Sequence, residues 1–211
     1  MLKKIIKSSG LLLSLMLGSC GVLSPVEQRH TVDYEITDPS FVSDITKIDN
    51  GGCTSSNRND ILYVATMHAN APYNSTKMFY SSSKYELEKY SYSQWAALPT
   101  DMLTQTMVKK IVLSCDFKNL VTNNAIANAN YSLVTQLILL RQDVNPDNKS
   151  SMAIMVIYAQ LIDLDRNTVK ASRVFELHSD APAGPTGFTD TINNLVTQFD
   201  NQLVAWLRNT K

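Results

Sequence analysis

Residues 131–140 (Tyr-Ser-Leu-Val-Thr-Gln-Leu-Ile-Leu-Leu) narrow most what this chain can become. With the two-residue period of a strand, Tyr131, Leu133, Leu137 and Leu139 fall on one face and Val134, Ile138 and Leu140 on the other. A strand apolar on both sides must be covered on both, which predicts a central place in a sheet. Asn-Pro-Asp-Asn-Lys at 145–149 turns it, a second strand runs over 152–164, a tight turn occupies 165–168 and a third strand runs over 169–177. The three make an antiparallel meander. After a Pro- and Gly-bearing turn at 181–186, Phe188, Ile192, Leu195, Val196, Phe199, Leu203, Trp206 and Leu207 recur at helical spacing and predict a closing helix.

The first half is built of shorter pieces. Residues 32–36 and 61–65 read as strands, separated by a long polar stretch over 38–60 that contains Asn50-Gly51-Gly52 and reads as a loop. A turn-rich segment over 68–75 follows, then a hairpin of 78–80 and 85–90 turning at 81–84. Pro99 suits the first position of a helix, with Asp101 at its positive end and Lys109 and Lys110 in its last turn. Leu103, Met107 and Ile111 form its core-facing stripe. The predicted class is α+β: a single domain, mainly antiparallel β-sheet, with two amphipathic helices packed on one face.

The 19 Lys plus Arg balance the 19 Asp plus Glu, for a formal net charge of +0. No basic cluster is left to neutralise a nucleic-acid backbone, so no nucleic-acid partner is expected. The balance has two separate sources. Lys3, Lys4 and Lys7 precede the apolar run over 11–17 and the small residues Gly18 and Ser19, the three-part pattern of a secretory signal. The run is far short of the roughly 20 residues a membrane span requires. Leu17-Gly18-Ser19-Cys20 resembles the bacterial lipobox, which makes Cys20 the first mature residue, carrying a diacylglyceryl group and, by the same resemblance, an N-acyl chain. Two or more chains give stable anchoring. The predicted divisions are a signal peptide over 1–19, a lipidated tether over 20–30 and a periplasmic domain over 31–211. Removing three lysines leaves 16 positive against 19 negative charges, a mature net charge of −3. Gly21 stands where inner-membrane retention uses aspartate, which favours the outer membrane with the domain facing the periplasm.

With Cys20 lipidated, Cys53 and Cys115 enter an oxidising compartment either as one disulfide or as two separate buried thiols. Neither has a cysteine or histidine at metal-ligand spacing, and His30, His68 and His178 are scattered, so no metal or other cofactor is expected beyond the covalent lipid. No nucleophile elbow, HExxH, P-loop or GxGxxG occurs, and Asp163 and Asp165 beside Arg166 and Asn167 read as a turn with local hydrogen bonds. The chain is read as a non-enzyme. Its compositional anomaly is aromatic: Tyr73, Tyr80, Tyr85, Tyr90, Tyr92 and Trp95 crowd one stretch, although the whole chain has only nine tyrosines. Such side chains suit a surface that a partner or lipid covers, and Tyr73, Tyr90, Tyr92 and Trp95 are the candidate contact residues; the competing reading, strongest for Trp95, is that they pack where the hairpin meets the first helix.

Ala71-Pro72, Tyr80, Tyr90-Ser91-Tyr92, Gln94-Trp95, Pro99, Met102-Leu103, Leu161-Ile162-Asp163, Arg173-Val174-Phe175 and Val204-Ala205-Trp206-Leu207 together carry a wider resemblance. In order and spacing they resemble the auxiliary lipoprotein component of ABC-type transport systems, the family that includes the lipoprotein of the paraquat-inducible operon. The resemblance implies a periplasmic subunit, anchored in the outer membrane, that partners an MCE-domain lipid-transport assembly, with phospholipid and further copies of itself as additional partners. The chain departs from the family pattern in the Asn-rich loop that contains Cys53 and in Gln94, where a basic residue often precedes the tryptophan. The competing classes are an envelope hydrolase with a dispersed site and a structural surface lipoprotein.

Overall fold

The computed structural model describes residues 30–41, 59–123, 128–145 and 150–210. Cys20, Cys53 and the whole predicted signal peptide lie outside the described residues. Among the described residues, nine strands and two helices are arranged as β1 (Val32–Tyr34), β2 (Ile61–Val64), β3 (His68–Ala69), β4 (Lys77–Ser81), β5 (Glu88–Trp95), α1 (Pro99–Ser114), β6 (Asn119–Val121), β7 (Tyr131–Val144), β8 (Ser150–Asp163), β9 (Thr168–Pro182) and α2 (Pro185–Asn209). Thr31–Lys211 forms one compact unit.

β7 is the spine. One edge pairs antiparallel with β8 from Tyr131↔Asp163 to Val144↔Ser151, and β8 pairs antiparallel with β9, completing the meander. The opposite edge receives three short strands in succession, all parallel: β2 at Leu62↔Tyr131, β3 at His68↔Gln136 and β4 at Tyr80↔Gln142. β5 continues antiparallel from β4, β1 adds parallel to β5, and β6 adds parallel to β2. The class is α+β as predicted, with antiparallel pairing along the long strands and parallel pairing among the short ones.

The central strand departs from the predicted faces at one residue. Pairing with β8 passes from Leu137↔Ile157 to Leu139↔Val156, leaving Ile138 as the extra residue of a β-bulge. The bulge shifts the alternation by one, so Leu140 joins Leu133 and Leu137 in the core while Leu139 turns to the other face and Ile138 is 46% exposed. That other face is half-buried rather than fully covered.

α1 begins at Pro99 as the sequence predicts, and its Leu103, Met107 and Ile111 are buried. It runs one turn further than predicted, ending at Ser114, with Cys115 as a left-handed cap (φ 55°) whose N–H donates to Val112 O. Its last turn therefore holds no basic residue, and Lys109 and Lys110 instead point at the N-terminal segment, over the Phe41 ring at 5.7 and 5.9 Å. The predicted hairpin is also displaced: its turn spans 82–87 and its second strand continues to Trp95. α2 lays Phe188, Ile192, Leu195, Val196, Phe199, Leu203 and Leu207 on the sheet, and Phe175 of β9 meets Phe199 and Trp206 edge-on at 5.2 and 6.0 Å. Both helices share one core with the inward residues of β7, β8 and β9.

The corner between β9 and α2 depends on two glycines. Gly184 has φ 105°, and Pro185 opens the helix. A Cβ on Gly187 would stand 2.4 Å from Pro182 O and 2.7 Å from Pro182 Cβ. Gly187→Ala is expected to lower stability by about 1–2 kcal/mol, because forced overpacking outweighs the gain of roughly 1 kcal/mol in helix propensity. A denaturant midpoint equal to or above wild type would contradict the close approach.

Candidate functional site

The aromatic stretch is divided between core and surface by β4 and β5. Trp95, at the end of β5, is 1% exposed and packs on Phe188 of α2 at 5.7 Å, so it is a core residue and not a contact residue. This corrects its place among the candidate partner residues, and the cause is the irregular course of β5, whose register against β4 shifts between Lys89 and Gln94, so that its end carries Trp95 into the core while Tyr92 stays 50% exposed. Tyr73 is half-buried, edge-on to Phe79 at 5.9 Å, where burial raises its pKa most, Asp143 also raises it, and Arg141 opposes. Tyr80 and Tyr90 stack with centroids 4.7 Å apart, and the Tyr80 hydroxyl donates to Glu88 (2.8 Å), which raises its pKa. The most exposed aromatic is Tyr85 at the hairpin tip, 89% exposed beneath Lys84.

The register Tyr80↔Gln142 carries this cluster to the far end of the central strand. Gln142 is wholly buried there and serves three neighbours. It accepts the Tyr90 hydroxyl proton at 2.5 Å and donates through Nε2 to Ser151 Oγ (2.5 Å) and Pro182 O (2.9 Å), while Ser151 donates to Ala181 O (2.8 Å). Burial first and the Tyr80 ring second push Tyr90 up to about 12, with a backbone hydrogen bond at Gly184 acting in the opposite direction. Beside the hub, Arg141 binds Asp143 through Nε at 2.7 Å and Nη2 at 3.3 Å. A cleft of about 780 Å³ opens at this end, lined by Asp143, Asn145, Ser150, Ser151, Met152, Asp180, Ala181 and Pro182.

A second surface lies on the face of β7, β8 and β9 opposite the helices. Ile138, Met152 and Val174 are exposed there, and Val134, Leu139, Ile154, Val156 and Tyr158 are half-buried. The alternation that buries every second residue of β8 against the helices places its other apolar residues here. Neither Gln142 nor this second face was among the sequence candidates. A glutamine inside a strand of branched aliphatic residues is the available signal for the first, and the unbroken apolar run of β8 for the second.

The carboxylates at the turn do structural work. Asp163 Oδ1 accepts the Arg166 N–H at 2.9 Å, Asn167 takes φ 53°, and Asp165 accepts from Asn130 at 3.3 Å. His68 lies in β3 and His178 in β9, both exposed. No three His, Cys, Asp or Glu among the described residues are grouped so as to hold a metal ion. Cys115 is disulfide-bonded. The loop that follows it is tied to the end of α2 by Arg208, which binds the buried Asp116 carboxylate through two nitrogens at 3.0 and 3.1 Å.

A protein from Xanthomonas campestris assigned to the DUF330 family shares the fold, with a TM-score of 0.67 at 20% identity over 86% of this chain and 94% of its own. An uncharacterised protein of known structure superposes with a TM-score of 0.59 at 12% identity, over 72% of this chain and 94% of its own. No curated protein matches. The family model of the ABC-type transport auxiliary lipoprotein component matches residues 50–204, which takes in every element from β2 through most of α2. With nearly three quarters of its length matched, the chain belongs to the family of ABC-type transport auxiliary lipoprotein components.

Proposed function

We infer that this chain is a non-catalytic subunit of an MCE-type lipid transport system, held on the outer membrane by lipid on Cys20 with its domain in the periplasm. The family match carries the reading. The lipobox supports the anchor, and Gly21 supports the outer membrane. The exposed apolar face of β7, β8 and β9 supplies a surface suited to a transport protein or passing phospholipid, and Tyr92 and Tyr85 offer a second contact on the hairpin. Self-association of the domain belongs to the same reading. Cys53 is the partner we assign to Cys115, since the chain has three cysteines and Cys20 is consumed by lipid.

The test is made in intact envelopes. A photo-crosslinker at Val174 is expected to capture an MCE-domain protein or phospholipid, and capture of neither from Val174, Ile138 or Tyr92 would sink the transport role. Cys20→Ala is expected to abolish palmitate labelling and shift the protein from the membrane to the soluble fraction. Labelling that persists in that variant would remove the anchor from the account. Two free thiols in denatured, unreduced protein would do the same for the bridge.

A further inference from the structure

Residues 36–41 lie as a strap across both helices. The Ile36 N–H points at Met102 Sδ of α1 (3.4 Å), the Thr37 N–H donates to Asn193 Oδ1 of α2 (3.0 Å), and Asn193 Nδ2 donates back to Glu35 O (3.3 Å). Ile36 and Phe41 bury their side chains. Between them sits Asp38, also buried, whose Oδ1 accepts the Ser40 N–H (2.8 Å) and the Thr197 hydroxyl (2.5 Å). Its Oδ2 has no hydrogen bond and faces Lys110 Nζ at 3.8 Å. Three residues beyond Thr197 on α2 stands Asp200, 0% exposed, and neither of its carboxylate oxygens has a hydrogen-bond partner. The Thr106 hydroxyl nearby on α1 is turned to Leu103 O (3.0 Å).

A buried carboxylate this poorly hydrogen-bonded is costly to keep ionised. Burial first and the charge of Asp38 second hold Asp200 well above the usual carboxylate range, and Thr106 and Lys110 oppose the rise. Among the described residues, the charged groups that reach Asp200 are thus Asp38 from the strap and Lys110 from α1, while Thr197 of α2 binds Asp38.

We propose that Asp38 and Asp200 form a proton-operated clasp that seats residues 36–41 on α1 and α2 and releases them when Asp200 ionises. With Asp200 protonated, the Lys110 ammonium faces one carboxylate. When the proton leaves to solvent, two buried carboxylates compete for the Lys110 ammonium, and their repulsion acts between two separable elements. The strap lifts, uncovering the apolar seats of Ile36 and Phe41 between the helices. Because the folded pKa lies above the unfolded one, seating is complete at low pH and is lost as pH rises through the folded value. The helices thereby gain a surface whose availability follows pH, a regulation that goes beyond the docking role proposed above.

Hydrogen exchange of the Thr37, Ser40 and Phe41 amides, corrected for intrinsic rates, tests this on the mature lipoprotein in detergent micelles. Wild-type protection is expected to fall by up to about tenfold per pH unit between the Asp200 pKa of the released strap and its higher value with the strap seated, and to level off above that. Asp200→Asn has no proton to lose and is expected to keep its protection across the range. A flat wild-type profile, or the same fall in Asp200→Asn, overturns the clasp. Asp38→Asn provides a second arm, keeping the oxygen that Ser40 and Thr197 bind while removing the opposing charge. It is expected to flatten the fall, and an unchanged fall overturns the proposal, as does an Asp200 carboxyl carbon that titrates in the ordinary range.

Discussion

Trp95→Ala is expected to destabilise the domain by about 3–5 kcal/mol, the cost of removing a large aromatic side chain from a closed core. Trp95 is 1% exposed and packs on Phe188, so its removal empties the junction where β5 passes beneath α2. The surrounding groups are poorly placed to collapse into the space. Phe188 sits in the first turn of the helix, next to Gly187, whose backbone packs closely against Pro182. Tyr92→Ala is the matched control: on the same strand but 50% exposed, it is expected to change stability by less than about 0.5 kcal/mol. Urea unfolding on a Cys20→Ala background measures both. A loss below 1 kcal/mol for Trp95→Ala would return the tryptophan to the surface, where a partner could reach it.

Gln142→Leu is expected to cost about 2–4 kcal/mol although the volume is nearly kept, because the loss is of hydrogen bonds rather than packing. The Tyr90 hydroxyl loses its acceptor, and Ser151 Oγ and Pro182 O each lose a donor, at a site where the glutamine itself is 0% exposed. The same hub has a pH signature. Tyr90 is raised from 10.0 to about 12, chiefly by burial, so the folded state keeps a proton that the unfolded chain releases. Its contribution is fully present below pH 10 and is lost as pH climbs towards 12. Denaturation midpoints should therefore fall across that window in wild type and fall less steeply in Tyr90→Phe. Equal slopes in the two proteins would show that Tyr90 is not the group responsible.

The long elements could be read from the chain because each carries its own periodic signal. The closing helix shows its apolar face over 25 residues, and the two central strands have apolar residues and turns at both ends. β3 and β6 escaped because two or three residues have no period. They are strands only because β7 and β2 offer free edges to their backbones. The bulge at Ile138 was illegible for a related reason: one inserted residue leaves no mark in composition, yet it reassigns the face of every later residue on the strand. Lys109 and Lys110 were assigned to a helix end when their role is set by Phe41 and Asp38, which are remote in sequence. The aromatic candidates were found as a group. Separating Trp95 from Tyr92 required knowing which way β5 faces.

The parallel docking of β2, β3 and β4 on β7 also sets an order of events. These strands end by Ser81, and the edge they share begins at Tyr131, so although β4 can pair with β5, none of the three can dock on β7 until the second half of the chain is present. Contacts of such long sequence separation form slowly. A chain emerging from its N-terminus would hold Leu62, Val64 and Met78, all later buried to 0% exposure, in an unfinished state until residue 144 was available to complete β7. The sheet is thus completed only once the second half of the chain is present, and until then the N-terminal half carries the apolar surface most open to misassembly.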